Sequence, residues 1–153
     1  MITKRLITAA IVVLIGGMAL AQSSNPLLGT WKLNVAKSKG TGKSGTTVIE
    51  AAGTGVKLTV DLVGTDGTKN HWTITPNFDG KDYPVTGTSP YGDAAAFTRV
   101  DQNTTRIVSK RGGKVTVTQT IVVAPDGKTR TVTTKGTDAK GQPVDTIGFY
   151  DKQ

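Results

Sequence analysis

The sequence predicts an all-β domain: an antiparallel up-and-down β-barrel of about ten strands, behind an N-terminal export leader. Three observations predict it. Apolar and polar residues alternate along run after run, and glycine-containing turn signals separate the runs. No stretch of useful length after the leader keeps a helical period, so no helices are expected to cover a parallel sheet.

The leader comes first. Residues 1–21, MITKRLITAAIVVLIGGMALA, set Lys4 and Arg5 ahead of an apolar run ending in Ala19-Leu20-Ala21, the small-x-small pattern that signal peptidase accepts. Cleavage after Ala21 is expected, leaving one domain over 22–153. The run from Leu6 to Leu20 is shorter than the roughly 20 residues that span a bilayer, and Gly16-Gly17 weakens it as a helix. No membrane span is therefore expected after cleavage, and the expected location is periplasmic or secreted. The chain has no cysteine. A lipid-modified cysteine anchor is thereby excluded, and packing with sheet hydrogen bonding must hold the domain without disulfides, which favours a closed sheet.

Removing Lys4 and Arg5 with the leader lowers the formal net charge from +8 to +6. The remaining cations are spread from Lys32 to Lys152, and Lys110-Arg111 is the only adjacent pair. That is a solvated basic surface, without the aromatic and basic interleaving of a nucleic-acid groove, so no specific nucleic-acid partner is expected.

The strand runs fall near 28–34, 46–52, 56–63, 68–75, 80–87, 93–100, 104–110, 114–124, 128–136 and 143–151. Val56 to Leu62 alternates cleanly, and Lys114 to Ile121 does the same with Val115, Val117 and Ile121 on one face. Between the runs lie Gly53-Thr54-Gly55, Gly64-Thr65-Asp66-Gly67, Asp79-Gly80, Arg111-Gly112-Gly113 and Asp126-Gly127, each a hairpin signal. Roughly two dozen threonines follow the leader, and their β-branched side chains suit strands on either face. A meander of this kind must bury its apolar face by closing on itself or by folding into two sheets; local signals alone do not separate a flattened barrel from a sandwich.

Gly29-Thr30-Trp31, at the start of the first strand, resembles the Gly-x-Trp signature of the calycins, the group that includes lipocalins, fatty-acid-binding proteins and avidins. The resemblance implies that Gly29 and Trp31 form a structural plug at one end of the barrel. Gly-Thr-Trp-Lys-Leu, residues 29–33, is also similar to the first strand of fatty-acid-binding proteins. The stretches Leu27 to Lys39 and Phe78 to Val85 resemble small exported bacterial lipocalin-like proteins, a likeness that implies the fold and names no ligand. The departures are equally specific. Only about a dozen residues separate Asn34 from Thr46, enough for a turn of helix and not for the two-helix lid of the fatty-acid-binding proteins. Tyr150 matches the tyrosine of that family's carboxylate clamp. Gly148 and Val122, however, stand where its two arginines belong.

Alternation nominates interior residues. Trp72 and Ile74 share one face of the fourth run, Tyr83 and Val85 one face of the fifth, and Phe97 and Arg99 one face of the sixth. Tyr150 joins them through the resemblance, although the last run leaves open whether Ile147 and Phe149, or Gly148 and Tyr150, face inward. Aromatic and polar groups converging inside a barrel form a small-molecule pocket; the same residues can equally fill a core.

Catalysis has little to work with. His71 is the only histidine and Glu50 the only glutamate. With no cysteine either, paired metal-ligand histidines and thiol nucleophiles are excluded, and no metal or cofactor is expected. Ser89 lies in Gly87-Thr88-Ser89-Pro90-Tyr91-Gly92, which is not a strand–turn–helix nucleophile elbow. Asp66, Asp79, Asp101, Asp126 and Asp138 sit at turns that explain them. His71 lies on the face opposite Trp72, so an inward Trp72 puts it outside and removes it as a haem ligand. Two readings follow. The first is an exported, non-enzymatic barrel that binds a small, mainly apolar molecule inside. The second is a solid barrel acting as a structural or interaction module, whose basic outer face contacts envelope polymers or proteins. The sequence carries no signal for an oligomeric state.

Overall fold

The computed structural model describes residues 24–153; the predicted leader and its cleavage site lie outside the described residues. Eleven strands form among the described residues: β1 (Gly29–Leu33), β2 (Ser44–Ala52), β3 (Gly55–Val63), β4 (Lys69–Ile74), β5 (Asp79–Pro84), β6 (Thr86–Gly87), β7 (Ala94–Arg99), β8 (Thr104–Arg111), β9 (Lys114–Val123), β10 (Thr129–Thr137) and β11 (Pro143–Lys152). Every strand pairing is antiparallel, and all eleven strands belong to one sheet in the order β5-β7-β8-β9-β10-β11-β1-β2-β3-β4-β6. First and last strands pair, with Trp31 opposite Lys152 and Leu33 opposite Tyr150. A nearly closed up-and-down barrel results, and the two-sheet alternative is set aside.

The count differs from ten because the fifth predicted run divides. Its first part, β5, pairs with β7 as far as Pro84 opposite Ala94. Proline has no N–H to extend a ladder, so the strand ends there. Val85 then donates its N–H to the Asp93 carbonyl at 2.8 Å. The chain next crosses to the other edge of the sheet, where β6 pairs Thr86 with Thr73 and Gly87 with Trp72 of β4. One segment of nine residues, 79–87, therefore supplies both edges of the nearly closed sheet and carries the chain across the seam between them. Gly87 makes the crossing with φ of +103°, and a Cβ there would collide with the His71 carbonyl oxygen.

Between β1 and β2 the chain makes a single 3-10 turn, Val35–Lys37, capped by the Asn34 side chain, which accepts from the Lys37 N–H at 3.2 Å. No lid helix covers the barrel there. The five turn aspartates behave alike: Asp66, Asp79, Asp101, Asp126 and Asp138 each accept the backbone N–H two residues ahead, at 2.8–3.1 Å. These bonds hold the carboxyls of Asp66 and Asp101 below the usual range, while at Asp79 the bond from the Tyr83 hydroxyl is the larger cause.

The inward positions follow the period of two. Val56, Leu58 and Leu62 on β3, Ile107 on β8, Val117, Ile121 and Val123 on β9, and Val132 on β10 are buried, together with Leu27, Trp31, Ile49, Ile74 and Phe97. Val115 shares the face of Val117 yet is 60% exposed. The β8–β9 ladder slips between Val108 and Lys110, so Val115 stands past the slip, opposite Lys110, beside the exposed Arg111–Lys114 hairpin.

Candidate functional site

Trp31 anchors one end of the interior. Its ring is fully buried, and its indole N–H donates to the Leu27 carbonyl at 2.8 Å, which ties the segment preceding β1 to the ring. Gly29 adopts φ of +124°, a conformation that side-chain-bearing residues rarely take, and it lies against the Lys152 side chain, whose ammonium sits 5.2 Å from the Trp31 ring centre. On β10, Arg130 points inward and is only 3% exposed. Its guanidinium carbon lies 5.0 Å from the Trp31 ring centre and 4.7 Å from that of Tyr150 on β11. Tyr150 and Gly148 therefore face the interior, while Ile147 and Phe149 face solvent.

Above this floor lies a narrow chamber of about 80 Å³. Its walls are apolar along Leu58, Val60, Trp72, Ile74, Phe97, Ile107, Ile121 and Val132, with Thr47, Ser109, Gln119, Arg130, Thr134 and Tyr150 as polar interruptions. Gln119 and Thr134 satisfy each other at 3.1 Å. A second, wider space of about 630 Å³ is lined by the loops around 64–68, 89–91 and 138–146 and shares Thr41, Leu62, Ser89, Tyr91 and Thr146 with the chamber. We describe it as a vestibule. Asp66 and Lys140 approach to 4.0 Å at its rim, an exposed pair that contributes little to stability.

Tyr91 stands where chamber and vestibule meet. Its ring meets Trp72 edge-on, with centroids 6.2 Å apart and planes at 89°. Its carbonyl accepts from the Thr116 hydroxyl, and its N–H donates to Oγ of Ser89 at 3.2 Å. Burial, with a smaller contribution from Tyr150 nearby, pushes its phenol up to about 12. The Tyr150 phenol is likewise raised by burial, against the pull of Arg130. Burial lowers the Arg130 guanidinium to about 10, with Tyr150 opposing.

Of the residues nominated by alternation and resemblance, Trp72, Ile74, Val85, Phe97 and Tyr150 line the chamber. Tyr83 and Arg99 lie outside it. Tyr83 packs against the core, and its hydroxyl donates to Asp79 at 2.8 Å. Arg99, at the end of β7, places its guanidinium 4.3 Å from the Phe78 ring centre. Alternation missed Arg130 and Tyr91. Arg130 was legible in principle, because it shares a face of β10 with the apolar Val132; Tyr91 sits in a loop, where no period exists.

His71 is on the outer surface, with Nδ1 2.6 Å from Oδ1 of Asp61 and both side chains well exposed, so it cannot reach the interior. No group of three or more metal-ligating side chains occurs among the described residues. No helix among them is long and apolar enough to cross a membrane. Neither a protein-family model nor a curated protein matches the chain.

Proposed function

We propose that this chain is an exported, lipocalin-like barrel of the calycin type that binds a small, mainly apolar molecule in its interior and carries out no catalysis. The observation that supports this most is the chamber itself, an apolar-walled space interrupted by a few polar groups and sharing five lining residues with a wider vestibule. In this reading the ligand enters through the vestibule, passes Tyr91, and lies against Trp72 and Phe97.

One observation favours the second reading, a solid barrel that works through its outer surface: the chamber is about 80 Å³, roughly half the ~150 Å³ that admits benzene to an apolar cavity. A bound molecule must therefore reach into the vestibule or displace Tyr91. Titration with an environment-sensitive apolar fluorophore separates the readings. Interior binding predicts a saturable signal, one site per chain, that Trp72→Ala alters. A signal that is absent, or that depends on salt and not on Trp72, supports surface contact instead.

A further inference from the structure

One hydroxyl is buried and left without a partner. Thr105, on β8, is 1% exposed, and its Oγ1 is the one buried side-chain oxygen among the described residues with no hydrogen bond. It stands opposite Ile121 on β9 and does not line the chamber, so a molecule held there does not account for it. A hydroxyl taken out of water unpaired destabilises a fold. Valine has the same shape and no polar atom to leave unsatisfied. The reason for the hydroxyl therefore points outside the folded state.

Two residues earlier stands Asn103, and Asn103-Thr104-Thr105 is an Asn-x-Thr acceptor sequence for N-linked glycosylation. The other four asparagines, Asn25, Asn34, Asn70 and Asn77, have Leu27, Ala36, Trp72 and Asp79 two residues on, so the chain has one such sequence. It lies in the β7–β8 hairpin, where Asp101 and Gln102 are exposed and Asn103 is half-buried. Asp101 shapes the turn by accepting the N–H groups of Asn103 and Thr104, each at 2.8 Å. The Asn103 Nδ2 donates to the Val123 carbonyl at 3.1 Å. An amide nitrogen carries two N–H groups, so one can remain on Val123 while the other is replaced. Val123 pairs with Arg130, which places the turn at the Trp31 end of the barrel. The vestibule is built from the loops at the other end and stays open.

We propose that Asn103 is an N-glycosylation site, modified during export before β8 folds; this rests on the export part of the reading above and not on interior binding. Burial sets the timing. A transferase that reads the Thr105 hydroxyl reaches it only in the unfolded chain, so the hydroxyl acts before the barrel closes around it. The donor is an oligosaccharide linked to a lipid pyrophosphate. The Asn103 Nδ2 bonds to the anomeric carbon as the bond from that carbon to the pyrophosphate oxygen breaks, and the lipid pyrophosphate leaves with the displaced amide proton.

The test is peptide mass spectrometry of the protein purified from the envelope of the cells that make it. The tryptic peptide Val100–Arg106 holds the whole acceptor sequence. The expected result is added sugar mass on that peptide, attached at Asn103, absent from Asn103→Gln and Thr105→Val and kept in Thr105→Ser. The N-terminal peptide of the same sample reads export separately. A bare Val100–Arg106 peptide in a chain that begins at Gln22 overturns the site and leaves the export reading standing, whether or not the variants fold. A chain that keeps residues 1–21 overturns both. Sugar that persists in Thr105→Val overturns the part assigned to the buried hydroxyl.

Discussion

The guanidinium carbon of Arg130 lies 5.0 Å from the ring centre of Trp31, so the fully buried tryptophan of the first strand and the buried cation of β10 meet at the floor of one chamber. This contact joins the element that closes the barrel to the element that gives its interior a charge. The two residues contribute differently. Trp31 is packed and hydrogen-bonded, whereas Arg130 is packed and left with free donors.

Trp31→Ala is therefore expected to destabilise the domain by about 3–5 kcal/mol, the range for removing a large buried aromatic side chain. Urea denaturation measures it. A loss below about 1 kcal/mol would contradict a packed, closing role for the ring.

Arg130→Met is expected to leave stability within about 1 kcal/mol of the unmutated protein, because it removes an unsatisfied buried charge along with its aromatic contacts. The same denaturation experiment checks this. A loss of about 3 kcal/mol or more would mean that the guanidinium is paired within the fold.

Gly87→Ala tests the seam. The residue has φ of +103°, and an added Cβ meets the His71 carbonyl oxygen, so β6 must move away from β4. Backbone strain of this kind costs about 1–3 kcal/mol. The N–H of Thr88, which donates to that carbonyl at 2.8 Å, should exchange faster with solvent in the variant. Unchanged exchange and stability would show that the crossing segment tolerates a side chain.

Tyr91 gives a pH signature. Its folded value is raised to about 12, while an unfolded phenol titrates near 10. The folded state thus holds its proton longer: the stability it contributes is complete below pH 10 and is lost as pH rises from about 10 to about 12. Phenolate absorbance should show a late, high-pH component from Tyr91 and Tyr150, whose amplitude Tyr91→Phe reduces. A late component unchanged by the substitution would place Tyr91 in solvent, away from the chamber.

Much of the fold was legible in the sequence because strand alternation and turn chemistry are local. The hairpin at Arg111–Lys114 and the Asp66, Asp126 and Asp138 turns form where glycine and aspartate announced them. The division of the fifth run was not legible. Val85 continues the alternation of Tyr83, so nothing local shows that the chain changes partners between Pro84 and Thr86.

The site was legible by face and not by depth. Phe97 and Arg99 share a face of β7, as their spacing requires, yet Phe97 lines the chamber and Arg99 ends at Phe78. Two residues along a strand is about 7 Å, enough to leave a chamber this small. For Arg130, its neighbour Val132 marks the inner face, but an arginine amid threonines reads as solvated until the partner strands are known. Its contact with Trp31 is separated by 99 positions of sequence, and no local pattern encodes it.

Native mass spectrometry of the mature protein, purified gently without detergent, shows whether the interior holds a small molecule. A one-to-one adduct that dissociates on mild activation and is extracted as a compact apolar molecule is expected. A bare chain mass, together with no saturable response to an apolar fluorophore, would contradict interior binding and leave the barrel as a solid module working through its outer face.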